Sequence, residues 1–240
     1  MLEKLAKQTA VYGISTIVVR FLSYLLTPFY TRVFGQETYG IVTDVYALIP
    51  FALVVLTMGL ESAYFRFAAR ADARAAEAGG TADEIAARAR AGKRRLFATT
   101  WGVTLLASSL FFLLAALGRD RVAAWMGEAY VAHPEYVVWV AAIVWFDVAA
   151  CIPFSRLREQ GRAMTFVGIK ALSVVINVTL AFSFGFAGLY GTSFGVGWVF
   201  VANLIASVLT FCVILLTTDR TVPRIDGRLL AAVLVYSLPL

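Results

Sequence analysis

The feature that most constrains this chain is a run of 48 residues without a charged side chain, from Ala171 to Thr218. A membrane-spanning helix needs only about 20 apolar residues, so the run is too long for one span. Glycines interrupt it, and they indicate one helix that ends near Phe184 and another that begins near Thr192. The interrupting residues are Gly185, Gly188, Gly191, Gly195 and Gly197.

Four more apolar stretches are long enough to cross a bilayer, and each carries at most one charge. They are Gln8–Thr31, Thr38–Leu60, Leu96–Gly118 and Tyr136–Ser155. A shorter apolar run, Leu229–Leu240, predicts the beginning of a seventh helix. The sequence therefore predicts an all-α polytopic membrane protein with a six-helix transmembrane lobe plus the start of a seventh helix.

The composition agrees with this class. Of the 240 residues, 60% are apolar and only 15% are charged, against about 25% charged in soluble domains. Such a chain could not hide its apolar surface in a soluble fold, and it is too apolar to be disordered. Two cysteines exclude a disulfide scaffold. We expect residues 1–217 to form the lobe, with an insert at about 68–95, and residues 218–240 to form a cytoplasmic linker and the start of a truncated seventh helix.

The basic residues predict the orientation. Of the 21 lysines and arginines, 17 fall at the N-terminus or in the segments that follow the second, fourth and sixth helices. By the positive-inside rule this places the N-terminus in the cytoplasm. The net charge of +6 is therefore spread over successive cytoplasmic loops. That distribution argues against a nucleic-acid partner and favours anionic lipid headgroups.

The insert at about 68–95 is rich in alanine, arginine and glutamate, with a break at Gly79–Gly80. Thr81 and Glu84 have the spacing of a helix-capping box. The pattern predicts a solvated helical extension, with a regulatory or partner-binding role as the alternative. Just before the insert, Glu61 is close in sequence to Arg66, which predicts a capping role or an interfacial ion pair between them.

An arginine lies inside the first span. Arg20 is 12 residues from one end of the span, roughly 18 Å along a helix and near the midplane. Hydroxyl residues recur on its helical face at three- and four-residue spacing. A polar face around a charge indicates a wet cavity, whereas the alternative is a structural ion pair. The residues that share this face with Arg20 are Thr16, Ser23, Tyr24 and Thr27.

Two carboxylates also fall within predicted spans. Asp147 lies 11 residues into the fourth span, and it could pair with Arg20 or bind a coupling ion such as H⁺ or Na⁺. Asp44 is about 9 Å from the outer end of the second span, a depth from which its side chain can reach the membrane surface.

Other polar residues form stripes on the fifth and sixth helices, and such stripes more often hold helices together than bind substrate. One contains Lys170, Ser173 and Asn177, and the other contains Asn203, Ser207 and Thr210. Gly191 and Gly195 have small-xxx-small spacing, which predicts close helix packing.

No set of residues points to catalysis. His133 is the sole histidine, so no metal cluster is expected. Nucleotide-binding glycine motifs are absent, as is a combination of nucleophile, base and orienting group. We therefore expect no enzyme activity, metal or cofactor.

Five short motifs follow one another along the chain in a set order relative to the predicted helices. They are Lys7–Gly13, Arg20–Phe34, Glu37–Gly40, Met58–Phe67 and Pro153–Ala163. In this order they resemble the N-terminal half of the polysaccharide flippases, which transport lipid-linked oligosaccharides. These proteins belong to the multidrug/oligosaccharidyl-lipid/polysaccharide exporter superfamily.

The resemblance implies a transporter with two six-helix lobes around a central cavity. It implies movement of a polyprenyl-diphosphate-linked oligosaccharide from the inner to the outer leaflet of the bacterial cell membrane, by alternating access. Family members line the cavity with cationic residues, and Arg20 best fits that role here. A guanidinium suits a diphosphate because its planar fork binds phosphate oxygens bidentately.

The chain departs from this family in two ways. It stops inside a seventh helix, so we expect it to be one lobe of a longer transporter, and its insert is longer than usual. The nearest rival function is a cation-coupled multidrug exporter of the same superfamily, which Asp44 and Asp147 would suit. A membrane enzyme of polysaccharide assembly, such as a polymerase or glycosyltransferase, and a non-transporting assembly subunit are further alternatives.

Overall fold

A computed structural model describes the backbone of residues 2–218 and 221–237, and the side chains of residues 26–35, 38–218 and 221–237. This part of the chain forms nine α-helices and one short 3₁₀ helix, Leu189–Gly191. The α-helices are α1 (Leu2–Thr57), α2 (Leu60–Glu77), α3 (Ala82–Leu117), α4 (Arg119–Met126), α5 (Glu128–Val131), α6 (Glu135–Glu159), α7 (Ala163–Phe186), α8 (Gly197–Thr217) and α9 (Gly227–Ser237).

The all-α membrane class predicted from the sequence is confirmed. Among the residues with described side chains, five helical segments are long and apolar enough to cross a membrane. The first predicted span, Gln8–Thr31, lies in α1 and mostly outside those residues. Helix α9 coincides with the predicted start of a seventh helix. The five segments are Thr38–Glu77, Ala82–Leu117, Glu135–Glu159, Ala163–Phe186 and Gly197–Thr217.

Helix α1 contains the first two predicted spans as two arms. Gly35 separates them with φ 71° and ψ 178°, a conformation outside the helical region. Glycine reaches a positive φ without the steric cost that a Cβ would add. Leu26 on one arm and Tyr46 on the other line the same cavity. The arms therefore lie side by side.

A second break separates α1 from α2. Met58 and Gly59 both have positive φ, 48° and 66°. Helix α2 then continues beyond the apolar span and forms a helical hairpin with α3, which confirms the predicted extension. The predicted capping box is also present, since the Glu84 N–H donates to Thr81 Oγ1 and the Thr81 N–H donates to Glu84 Oε2 at 3.0 Å.

Helix α6 is the centre of the bundle. In the most apolar part of α6, 56% of the residues are buried, against 11% in α7. It packs against α1, α2, α3, α7 and α8. Helix α3 packs closely against α6, and small hydroxyl residues of α3 such as Thr100 and Thr104 are fully buried. The indole of Trp101 donates a buried hydrogen bond to the Ala149 carbonyl of α6 at 2.9 Å.

The connection between α7 and α8 differs from the predicted one. Helix α8 begins at Gly197, five residues later than expected. Gly191 ends the 3₁₀ helix and Gly195 lies in a turn with φ 46°. The prediction that these two glycines pack helices together is wrong, because they form the connection itself.

One end of the bundle, which we call the basic end, gathers the basic segments. Lys93 of α3 bridges Asp72 of α2 at 2.8 Å and Glu159 of α6 at 2.7 Å. At this end Arg162 also donates to the Thr217 carbonyl at 2.8 Å. The segments that the sequence assigns to one side of the membrane therefore meet in the fold.

Glu61 pairs with a different arginine from the one predicted. Arg158 at the end of α6 donates to Glu61 Oε1 at 2.6 Å, and Ser155 donates to the same oxygen at 3.0 Å. The guanidinium of Arg66 instead lies over the ring of Tyr236, 4.0 Å from its centroid. The prediction from sequence proximity failed because Glu61 and Arg66 lie on different faces of α2. Glu61 faces α6, whereas Arg66 faces Tyr236 of α9.

The break at Gly59 can be tested by substitution. A Cβ at this position would lie 2.8 Å from the backbone oxygen of Ser237 in α9, and φ is 66°. We expect Gly59→Ala to destabilise the bundle by about 1–2 kcal/mol from the backbone conformation alone, with a further cost from the contact. Thermal unfolding of the purified protein, followed by size-exclusion fluorescence, measures this change.

Gly168→Ala is the matched control, because Gly168 is helical and a Cβ there meets nothing within 4 Å. We expect it to keep or raise the unfolding temperature. Equal unfolding temperatures for the two variants would contradict the role given to Gly59.

Candidate functional site

A polar cavity of about 320 Å³ lies inside the bundle, between the two arms of α1 and helices α7 and α8. Most of the side chains around it carry a hydroxyl or an amide, and no charged side chain is among the described residues that line it. The polar lining residues are Thr27, Tyr30, Tyr39, Tyr46, Ser173, Asn177 and Asn203, and the apolar ones are Leu26, Val174 and Val178.

Aromatic packing holds one wall of the cavity. Tyr30 is 2% exposed and packs edge-on against Tyr190, with ring centroids 6.2 Å apart. The Tyr190 hydroxyl donates to the Ala181 carbonyl of α7 at 2.8 Å. On the other side, the side chains of Tyr46 and Asn203 interact and connect α1 to α8. These contacts fix the positions of the polar groups.

The cavity lies away from the basic end. Asn203 is six residues into α8, or about 9 Å from the opposite end of that helix, and Asn177 is about 13 Å from the corresponding end of α7. Polar groups on the inner faces of apolar helices need hydrogen-bond partners, which they find in one another or in water that enters the cavity.

The lining has the chemistry of a carbohydrate site. Hydroxyl and amide groups both donate and accept hydrogen bonds, as sugar hydroxyls do. Aromatic rings such as those of Tyr39 and Tyr46 add flat apolar faces with a polar edge. The described part of the lining, which is uncharged, can bind a neutral polar group without a cost for burying an unpaired charge.

Thr27 is the one residue of the predicted polar face whose side chain lies in the described part, and it lines the cavity. Thr16, Arg20, Ser23 and Tyr24 lie on α1, outside the residues with described side chains. Arg20 precedes Thr27 by seven residues, or two helical turns. The predicted place of Arg20 on the same helical face as Thr27 therefore stays a prediction.

Asp147 lies on α6 and contacts α8. Its Oδ1 accepts a hydrogen bond from Ser207 at 2.8 Å, and Lys170 of α7 acts on it electrostatically. The ammonium of Lys170 also lies 4.4 Å from the ring centroid of Phe154. Pairing between Asp147 and Arg20 stays a prediction, because the Arg20 side chain is outside the described residues.

Asp44 lies at the end of the bundle opposite to the basic end. Its side chain is exposed, and the hydroxyl of Tyr130 in the short helix α5 is 3.5 Å from Oδ2. The same hydroxyl is 3.4 Å from the Ile41 carbonyl. Asp44 thus reaches the surface segment formed by α4 and α5, and it does not line the cavity.

Some polar residues that the sequence assigned to helix packing line the cavity. Ser173, Asn177 and Asn203 face it, whereas Thr210 donates to the Ala206 carbonyl of its own helix at 2.7 Å. The three tyrosines were missed entirely. Tyr39 and Tyr46 are seven residues apart and so share a helical face, which is the signal that could have shown them.

The helices define a polytopic membrane protein with a polar cavity inside the bundle. The family model for polysaccharide biosynthesis proteins matches residues 5–239. The chain therefore belongs to this family, and its resemblance to the polysaccharide flippases is confirmed. Family members are generally transporters, which supports a polysaccharide-related membrane transporter. Comparison with curated proteins and with solved structures gives no match.

The hydration of the cavity can be tested by cysteine labelling. In a background with Cys151 and Cys212 replaced by alanine, we expect Asn177→Cys to react with a membrane-impermeant thiol reagent, because a polar cavity admits water. Val175→Cys should stay unlabelled, since Val175 is 51% exposed on the apolar surface of the same helix and would face lipid. Mass spectrometry of the labelled protein measures both. Equal labelling at the two positions would show that the cavity is not selectively wet.

Proposed function

We propose that this protein acts in flipping polyprenyl-diphosphate-linked oligosaccharides from the inner to the outer leaflet, for the synthesis of cell-surface polysaccharide. Membership of the polysaccharide biosynthesis family supports the substrate class. The observation that carries the proposal is the cavity whose described lining consists of hydroxyl, amide, tyrosine and a few apolar side chains, without a charged group. Alternating access would expose this cavity to one side of the membrane at a time.

The three parts of the substrate would bind in different parts of the bundle. The sugar takes the polar cavity, where Asn177, Asn203 and the tyrosines exchange hydrogen bonds with its hydroxyls. The diphosphate takes Arg20, assisted by the hydroxyl groups of Thr16, Ser23, Tyr24 and Thr27. The polyprenyl chain stays in the surrounding lipid, where it costs nothing to accommodate.

The orientation in the membrane is part of this proposal. The basic end faces the cytoplasm, because lysine and arginine concentrate in cytoplasmic loops. The N-terminus is then cytoplasmic, in the bacterial inner membrane, and the cavity lies nearer the outer leaflet. A second transmembrane lobe would close the other side of the transport path.

A cation-coupled drug exporter of the same superfamily fits the cavity less well. Such an exporter would use acidic groups in its cavity to bind cationic drugs or coupling ions. Asp147 is held by Ser207 at the contact of α6 with α8, and Asp44 lies at the surface. Neither carboxylate is among the described residues that line the cavity.

We propose a structural role for Asp147. Its hydrogen bond from Ser207 joins α6 to α8. A buried carboxyl group with a hydroxyl donor has a partner of the kind that burial in a membrane requires. Ion coupling through Asp147 is the alternative that its substitution can test.

The proposed transport can be tested by complementation. The intact gene that encodes this chain should restore surface polysaccharide to flippase-deficient cells of its own host background. We expect Asn177→Leu to reduce that polysaccharide at least tenfold, because it removes a hydrogen-bonding group from the cavity and fills it with an apolar side chain. Thr179→Leu is the matched control, two residues away on the same helix and outside the cavity, and should leave the yield within twofold.

Arg20 is tested in the same assay. Arg20→Ala should abolish the surface polysaccharide, and Arg20→Lys should retain part of it, because lysine keeps the charge without the bidentate geometry. Arg32→Ala serves as the control on the same helix, where the side chain is exposed. Undiminished polysaccharide in Arg20→Ala cells would remove Arg20 from the proposal, and failure of the intact gene would remove the proposed function.

The two roles of Asp147 predict different results for Asp147→Asn. An amide oxygen can still accept the hydrogen bond from Ser207, so we expect the unfolding temperature and the surface polysaccharide to stay close to wild type. Asp147→Leu, which leaves the Ser207 hydroxyl without this partner, should lower the unfolding free energy by about 1–3 kcal/mol. If Asp147→Asn instead keeps its stability but loses dependence on a proton or sodium gradient in vesicles, the carboxylate couples an ion.

A further inference from the structure

A cleft of about 620 Å³ opens at the basic end, between α2, the first turns of α3 and the start of α9. We call it the arginine cleft. Among the described residues, five arginines and one aspartate line it, an excess of four positive charges. The charged residues are Arg70, Arg74, Arg88, Arg95, Arg228 and Asp226.

The one carboxylate among the described residues of the cleft already has partners. Asp226 Oδ1 accepts from the backbone N–H groups of Leu229 at 3.3 Å and Arg228 at 3.1 Å, and Oδ2 pairs with Arg95. The Leu229 N–H and the Arg95 guanidinium hold the pKa of Asp226 below its usual range. Asp226 is therefore ionised at neutral pH. Its negative charge is compensated by Arg95 and by the N-terminus of α9.

Four of the five arginines have no carboxylate partner within the described part of the chain, since only Arg95 pairs with one. Arg74 and Arg228 are exposed, and the guanidinium of Arg70 lies 5.2 Å from the ring centroid of Phe67. Arg88 donates to the Gly79 carbonyl at 2.6 Å, which leaves its charge uncompensated by that bond. Like charges placed this close repel one another, so an anion that sits among them is stabilised.

The cleft also has an apolar floor. Phe67, Leu96 and Leu229 line it below the arginines. The uncharged run of α3 begins at Leu96 and the apolar part of α9 begins at Leu229, so this floor marks the depth at which the helices enter the hydrocarbon. The arginines therefore lie at the depth of the lipid headgroups. An occupant with phosphates at one end and hydrocarbon at the other matches both parts of the cleft.

We propose that the arginine cleft binds a membrane lipid whose headgroup carries two phosphate groups. One phosphodiester compensates only one of the four excess charges, whereas two phosphodiesters compensate two and a terminal diphosphate compensates up to three. Guanidinium groups bind phosphate oxygens bidentately, and each such pair is stronger than a neutral hydrogen bond. The site is separate from the polar cavity, and it requires only that the basic end meets a membrane surface, not that the protein flips lipids.

Native mass spectrometry of the purified protein in detergent tests the proposal. The probes are cardiolipin, a polyprenyl diphosphate, a zwitterionic phosphatidylcholine, and inorganic diphosphate as a competitor. We expect the two lipids with paired phosphates to bind, and phosphatidylcholine to bind at least tenfold more weakly. The preference between cardiolipin and the polyprenyl diphosphate distinguishes a structural phospholipid from the substrate-like lipid as the occupant.

The variant that removes Arg70, Arg74 and Arg228 together, each changed to alanine, should weaken the binding of these lipids roughly 100-fold, because each arginine near an anionic group contributes about fivefold. The matched control changes Arg90, Arg94 and Arg162 to alanine. It removes the same charge from the same end, and none of its residues lines the cleft. We expect it to weaken binding no more than about fivefold, and thermal unfolding shows whether both variants fold.

Two results would overturn the proposal. Equal weakening by the two triple variants would mean that the lipids respond to net charge alone. The second result is displacement of cardiolipin by inorganic diphosphate at a concentration similar to that of the lipid. It would mean that the cleft binds a free anion and that its apolar floor contributes nothing to binding. Failure of the flipping proposal in cells leaves this binding result unaffected, so the two can be told apart.

Discussion

The packing of α6 is the constraint on which the rest of the structure depends. Inside a bilayer the hydrophobic effect does not drive helices together, because lipid is as apolar as leucine. Association relies on close van der Waals contact and on interhelical hydrogen bonds. Helix α6 supplies both, with the fully buried residues Val148 and Ala149 and with the Trp101 indole bonded to the Ala149 carbonyl. Helices α1, α2, α3, α7 and α8 all pack against it.

The two ends of α6 also organise the two ends of the bundle. At the basic end its last turn carries Arg158 and Glu159, which pair with Glu61 of α2 and Lys93 of α3. At the other end the Tyr136 hydroxyl donates to the Phe194 carbonyl at 2.7 Å and fixes the connection before α8. The polar cavity forms on the side of the bundle where α7 meets α1, away from the contact of α3 with α6.

Much of the fold could be predicted because it follows from local rules. Apolar length locates the spans, and the spacing of Thr81 and Glu84 locates the start of α3. Tertiary partners could not be predicted in the same way. Glu61 pairs with Arg158, 97 residues away, because the packing of α2 against α6 brings them together. Gly191 and Gly195 satisfy a packing motif by spacing alone, yet the backbone there is not an α-helix.

The candidate site was predictable only in part, for a related reason. The periodicity of Ser173 with Asn177 shows that they share a helical face, but not whether that face meets a neighbouring helix or a space. Polar residues that hold helices together and polar residues that line a cavity are the same residue types. The tyrosines of α1 gave a weaker signal still, because tyrosine is as common at membrane interfaces as in binding sites.

The absence of a charged side chain from the described lining of the polar cavity has a consequence for the proposed transport. Burying a diphosphate among neutral groups costs far more than burying a sugar, because its charges lose their hydration. The described cavity lining contains no cation, and Arg20, whose side chain lies outside the described residues, precedes Thr27 by seven residues along α1. In the proposed transport, the substrate would therefore enter with its sugar towards the opposite end of the bundle and its diphosphate towards the basic end. In the proposed orientation, a lipid headgroup that enters from the cytoplasmic leaflet with its sugar first has this same direction.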